Sequence, residues 1–177
     1  MDYTNRRGSL SAAPFFAPHT ARLRLDPSTT ARHRTSAPAK GDLMTQIYTG
    51  SCLCGTIAFE ITGDVAAFFL CHCSRCRKGT GSAHAANLFA PGASVRWTQG
   101  KTELRHYQHH GSRHHRSFCA TCASPMPYVG NDHIVIPAGC LDTAPDVPIN
   151  AGICWSDRAT WVDGIAAAPK IAGLPDA

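Results

Sequence analysis

The pattern of apolar and polar positions changes character at residue 44. Residues 1–43 show no sustained apolar period and are rich in Ser, Thr, Ala, Pro and Arg. Stretches such as Asp26-Pro27-Ser28-Thr29-Thr30 and Ser36-Ala37-Pro38-Ala39-Lys40-Gly41 carry loop chemistry. This part is expected to be a disordered N-terminal extension, or to lie upstream of a natural start at Met44. A transit peptide would suit its arginines but not its three Asp and its prolines. From residue 44 onward, short strand patterns follow one another. Residues 46–51 lead into Cys52, and Thr56-Ile57-Ala58-Phe59-Glu60-Ile61 alternates as a half-buried strand does. After a turn at Gly63-Asp64, residues 65–70 form a continuous apolar run that predicts a buried strand delivering Cys71 to a metal loop. Residues 84–90 read as a strand ended by Pro91-Gly92, residues 95–97 as a short one, and residues 102–107 as another after a turn at Gln99-Gly100-Lys101. Residues 113–118 run into Cys119. Residues 125–129 and 133–137 predict a hairpin around Gly130-Asn131-Asp132, closed by Ala138-Gly139-Cys140-Leu141-Asp142. Residues 150–155 form a last strand with Trp161 packed near it, and residues 166–177 a loose C-terminal end. Many short strands and no long helix predict an all-β single domain of short antiparallel strands over residues 44–165. The chain shows no internal repeat.

A length of 177 residues suits one domain with a true core. No apolar run is long enough to span a bilayer, and no signal-peptide h-region precedes Asp42. A disulfide framework is therefore not expected. The chain is placed in the cytoplasm, where closely spaced cysteines read as metal ligands. The formal charge of +5 belongs mostly to the extension: seven Lys or Arg against three Asp in residues 1–43 leave +4, and ten against nine leave +1 in the rest. Two zinc ions held by seven thiolates would add about −3 to the folded part. A surface near neutrality argues against nucleic-acid binding driven by net charge.

Seven of the nine cysteines fall into three short clusters. Cys52 and Cys54 form C-x-C, Cys71, Cys73 and Cys76 form C-x-C-x-x-C, and Cys119 and Cys122 form C-x-x-C. Four plus three matches one closed and one open zinc site. Zinc takes thiolates at tetrahedral geometry; iron–sulfur clusters compete on ligand type, but these spacings are not those of ferredoxins. Cys52 and Cys54 pair with Cys119 and Cys122, because a metal joining distant pairs closes a long loop and constrains the unfolded chain most. That is a structural role. Cys71, Cys73 and Cys76 leave a fourth position for water or substrate, the pattern of a catalytic zinc. Metal there could lower the pKa of a bound thiol or polarise a carbonyl.

Several neighbours carry two readings. Arg75, Arg77 and Lys78 could hold substrate carboxylates, or be solvated charges on a turn. His72 lies between two ligands and could be a fourth ligand or a proton donor, but an extended segment would point its ring away. His106, His109, His110, His114 and His115 form a patch given no catalytic role. Cys140 and Cys154 are expected to be buried inert thiols, and Trp97, Trp155 and Trp161 to be core or pocket wall.

Gly50-Ser51-Cys52-Leu53-Cys54-Gly55, Cys71-His72-Cys73-Ser74-Arg75-Cys76-Arg77-Lys78, Arg116-Ser117-Phe118-Cys119-Ala120-Thr121-Cys122 and Ala138-Gly139-Cys140-Leu141-Asp142 together resemble the glutathione-dependent formaldehyde-activating enzyme (GFA) family, which includes centromere protein V. The resemblance runs from Thr49 to about Trp161. It implies a β-tent-like fold and two zinc ions, structural at Cys52, Cys54, Cys119 and Cys122 and catalytic at Cys71, Cys73 and Cys76. It also implies a carbon–sulfur lyase-type activity on a small thiol and a small aldehyde, for which glutathione and formaldehyde are the founding pair. Members usually carry Gly-Ser-Pro where this chain has Ala123-Ser124-Pro125. They often carry His-Ile and Ser-Lys-x-x-Trp where it has Asn150-Ala151 and Ser156-Asp157-Arg158-Ala159-Thr160-Trp161. The ligand cysteines are all in place. The rival readings are a non-catalytic zinc-stabilised binding module for a protein or small thiol, and a redox sensor that releases zinc on oxidation. A water or thiol in the fourth position of the second metal permits chemistry, whereas a fourth protein ligand that closes the site, such as His72, favours the binding module.

Overall fold

Among the described residues, eleven short strands and one α-helix follow the apolar pattern closely. They are β1 (Ile47–Ser51), β2 (Ala58–Thr62), β3 (Ala67–Cys71), α1 (Ser74–Thr80), β4 (Ala85–Pro91), β5 (Ser94–Gln99), β6 (Leu104–Gln108), β7 (His115–Cys119), β8 (Pro125–Met126), β9 (Tyr128–Val129), β10 (His133–Pro137) and β11 (Ala151–Ile153). The computed structural model describes residues 46–174. The extension expected over residues 1–43, and the start at Met44, lie outside them. Among the described residues no helix is long and apolar enough to cross a membrane.

Three small sheets share one core. The first has the order β1-β2-β5, the second β11-β3-β4-β10-β9 and the third β6-β7-β8. The period-two pattern decides what faces inward. In the first sheet Tyr48, Phe59 and Ile61 are buried while their neighbours are not; in the second, Leu88, Ala90, Ile134 and Ile136 are. Met126 of β8 and Cys119 at the end of β7 complete the core. Each large apolar side chain so buried contributes about 1.5–3 kcal/mol. Gly50 sits opposite Phe59 in the β1–β2 register, and a Cβ there would run into the Phe59 ring and the Cys140 carbonyl. Only glycine allows β1 to lie this close to its neighbours.

Some expectations need correcting. The pairings are antiparallel except one: β11 runs parallel to β3, with Ile153 opposite Cys71. The strand expected to be buried before Cys71 is half-buried at every position. Its Phe68 packs on the core, whereas Phe69 and Cys71 line a cavity. The segment expected as a metal loop is helix α1. The hairpin divides, since β8 pairs with β7 and only β9 with β10. Trp97 meets Phe59 edge-on at 5.8 Å in the core, but Trp161 is 59% exposed, in a 3-10 turn at residues 160–164. Residues 163–174 are exposed throughout.

Candidate metal centre

Strand ends place both thiol clusters. Cys52 follows β1, and a tight turn returns the chain to β2: the Gly55 N–H donates to the Cys52 carbonyl (2.9 Å) and the Cys52 N–H to the Ile57 carbonyl (3.0 Å). Cys119 ends β7, where its carbonyl accepts from the Ala123 N–H at 2.9 Å. Ala123 stands at φ +59 in that turn, a left-handed conformation that suits glycine. The Leu53 N–H donates to Ser124 Oγ at 3.0 Å and ties the two turns together. The four sulfurs of Cys52, Cys54, Cys119 and Cys122 then lie within 4.8 Å of one another. Cys52 and Cys54 Sγ are 3.5 Å apart, and Cys54 and Cys119 Sγ 3.9 Å. A tetrahedral metal with thiolates at about 2.3 Å sets its sulfurs roughly 3.8 Å apart. The cluster has that spacing, and could hold a metal ion.

The surroundings of this cluster suit thiolates. The Ile57 N–H donates to Cys52 Sγ at 3.2 Å, Thr56 Oγ1 lies 3.2 Å from Cys54 Sγ, and Ser124 Oγ lies 3.2 Å from Cys122 Sγ. The Ser124 hydroxyl and amide pull Cys122 down to about 5, while burial pushes Cys52 up to about 11. Thiols this close do not all ionise side by side; a dication among them is what makes four thiolates compatible.

The second cluster is built on β3 and α1. Cys71 ends the strand, Cys73 is the residue before the helix, and Cys76 lies buried in its first turn. Cys73 Sγ accepts from the Cys76 N–H at 3.4 Å, as a capping oxygen would. Gly81, at φ +65, ends the helix with its N–H on the Arg77 carbonyl at 2.8 Å. The sulfurs of Cys71, Cys73 and Cys76 lie within 4.8 Å of one another. Burial opposes ionisation of Cys73, but the Cys76 amide and the neighbouring thiols outweigh it and lower its pKa; burial drives Cys76 strongly upward. Cys71 and Cys76, together with Cys52 of the first cluster and Cys140, line a cavity of about 730 Å³, which is within the range that takes small ligands.

The remaining candidates separate. Arg77 is not a solvated charge: its Nε donates to the His72 carbonyl at 3.2 Å and braces the ligand segment. Arg75 and Lys78 line a small basic pocket with His114 and Arg116. His72 is 3% exposed, its ring set against His84 (5.1 Å) and Trp155 (4.8 Å), and its Nδ1 has no hydrogen-bond partner. Both groups able to hold a metal, among the described residues, consist of cysteine alone. His106, His109 and His115 engage Ser117, Tyr107 and Tyr128. Cys140 is buried with its thiol on the Pro137 carbonyl, at a pKa pushed up to about 12 by burial. Cys154 is not buried: it is exposed, and its Sγ lies 3.9 Å from that of Cys71. Sequence spacing gave no sign of this, because the parallel β11–β3 pairing brings together residues 83 positions apart.

Fold and site define a small all-β protein with two thiol clusters, one of four and one of three, each able to hold a metal ion. The chain belongs to the glutathione-dependent formaldehyde-activating enzyme family, whose model matches residues 47–157. A crystal structure of a Rhodobacter sphaeroides protein is similar at 23% identity, over 55% of this chain and 91% of that one, with a TM-score of 0.44. No curated protein matches the chain.

Proposed function

We propose that this protein is a zinc-dependent carbon–sulfur lyase-type enzyme that adds a small thiol, glutathione or a relative, to a small aldehyde, and runs the reverse. The observation that carries this reading is the inequality of the two thiol clusters, four sulfurs against three; Cys71 and Cys76 of the smaller line the cavity, as Cys52 of the larger does. Family membership supports the substrate class. Cys52, Cys54, Cys119 and Cys122 hold a structural zinc, and Cys71, Cys73 and Cys76 a catalytic one, two ions per chain. When bound, zinc at the three-cysteine site supplies an open position that lowers the pKa of a thiol and a Lewis acid for a carbonyl.

The chain's own groups do the rest. The Cys76 N–H and the helix start steady Cys73, and Arg77 holds the His72 carbonyl so that the three sulfurs keep their spacing. Arg116 lines the cavity and suits a carboxylate of a peptide-like thiol. In the addition, the thiol sulfur bonds to the aldehyde carbon, the carbonyl π pair moves to oxygen, and the oxygen gains the proton that the thiol loses. A cytoplasmic site belongs to this reading, since seven clustered thiols stay reduced there.

Exchange spectroscopy on formaldehyde and glutathione measures the addition at equilibrium. The protein should speed exchange between free and S-hydroxymethylated thiol, and Cys73→Ala should abolish the effect. Exchange no faster than in buffer, with glutathione and with simpler thiols alike, would sink the proposal.

A further inference from the structure

We propose that Cys154 is an exchangeable fourth ligand of the three-cysteine site: a protein thiol that holds the open position at rest and cedes it to an incoming thiol. The proposal rests on the reading of Cys71, Cys73 and Cys76 as metal ligands. Cys154 is not an isolated cysteine: it stands beside the three-sulfur set, at Cys71. Its Sγ stands 3.9 Å from that of Cys71, the same separation as between Cys54 and Cys119 in the four-thiol cluster. That is the length of one edge of a tetrahedral thiolate site; to complete the site, the exposed Cys154 side chain has to turn further toward Cys73 and Cys76.

The backbone puts it there on purpose-built supports. Strand β11 lies beside β3 with Ile153 opposite Cys71, and the His72 N–H donates to the Ile153 carbonyl at 2.9 Å. At the next residue the chain leaves the extended form. Cys154 takes φ +52, ψ +42, a left-handed conformation that costs a side-chain-bearing residue about 1–2 kcal/mol. A 3-10 turn then closes with the Asp157 N–H on the Cys154 carbonyl at 3.0 Å. Arg158 secures that turn: Nη1 donates to the Trp155 carbonyl, the guanidinium lies over the Trp155 ring, and Nε reaches Asp163 at 2.8 Å. Trp155 in turn meets His72 edge-on at 4.8 Å. The same strand pair that positions Cys71 therefore positions Cys154.

Two features make it an exchangeable ligand, not a fixed one. Cys154 is exposed, whereas Cys76, Cys52 and Cys119 are buried. It also lies outside the set of three sulfurs that are mutually within 4.8 Å, with its Sγ 3.9 Å from that of Cys71. A swing between staggered χ1 wells is free to an exposed side chain. On exchange, the bond from Cys154 Sγ to the metal breaks as the incoming sulfur bonds, and the incoming thiol's proton passes to Cys154, so charge is conserved. Cys154 thereby keeps water and stray ligands off the site until a thiol arrives.

Cobalt(II) in place of the native metal tests this on the full chain, because sulfur-to-cobalt charge-transfer intensity counts Co–S bonds. Wild type should take up two equivalents. In Cys154→Ala and Cys154→Ser, the increment from the second equivalent should fall by about one quarter, four bonds becoming three. Added 2-mercaptoethanol should restore it in the variants and leave wild type unchanged. The increment from the first equivalent is the internal control for folding, and the serine variant preserves side-chain size if alanine disturbs the turn. Two equivalents with the same intensity in all three proteins would overturn the role of Cys154 and leave the three-cysteine site standing. A single equivalent in wild type would overturn both.

Discussion

The four-thiol cluster should dominate stability, and the size of the effect follows from where its members lie in the chain. Cys54 and Cys119 are 65 residues apart. By the chain-entropy relation for cross-links, closing such a loop is worth about 4 kcal/mol at 25 °C. The same relation applied to the five-residue span from Cys71 to Cys76 gives only about 2 kcal/mol. Domains of this size are stable by about 5–15 kcal/mol, so the first figure is a large share of the whole. Urea unfolding of three proteins, each with and without a strong chelator, tests the argument: wild type, Cys71→Ala/Cys73→Ala and Cys119→Ala/Cys122→Ala. At a slope near 2 kcal/mol/M, losing the long-loop clip should lower the midpoint by about 2 M. Chelation should produce that drop in Cys71→Ala/Cys73→Ala, and about 3 M in wild type, which loses both clips. It should lower Cys119→Ala/Cys122→Ala by only about 1 M, the share of the short loop. Equal losses in the two double variants would refute the division into a structural and a catalytic site.

Other outcomes follow from single positions. Ala123→Gly removes a left-handed penalty of about 1–2 kcal/mol while adding about 0.4–1 kcal/mol of chain freedom to the unfolded state, so it should raise the thermal midpoint by about 2–4 °C; a lower midpoint would contradict the strain at φ +59. Gly100→Ala should cost more than about 2 kcal/mol, since Gly100 has φ +63 and a Cβ there meets the Thr56 carbonyl oxygen; wild-type urea unfolding of this variant would refute the packing. Burial, with a smaller push from His72, holds His84 below its ordinary 6.5. From about 6.5 downward the unfolded chain therefore binds more protons than the folded one at this residue, and stability falls as pH falls. His84→Gln should flatten that limb of a stability–pH profile, and an unchanged slope would remove His84 from it.

Much of this was legible in local pattern. The alternation over residues 56–61 gave β2 with Phe59 and Ile61 inward, and the cysteine spacings gave both thiol groups, because chelating turns are built from neighbours in sequence. What was not legible came from longer range or from competition between signals. Helix α1 has only seven residues, and its N-cap is a cysteine whose ligand spacing reads as a loop; Gly81 at its end was the available sign. The half-burial of β3 depends on a cavity that no stretch of sequence announces. Cys154 sits among apolar residues and reads as a core thiol, and only the parallel register of β11 on β3 turns it toward Cys71. Trp161 reads as core by its type yet stands exposed.

Each chain is expected to hold two metal ions, at sites of different kind. Metal content per chain on freshly purified protein, repeated on Cys71→Ala/Cys73→Ala, tests it most directly. Two zinc ions in wild type and one in the variant, with the variant still folded, is the predicted result. One zinc in both, or iron in place of zinc, would contradict it.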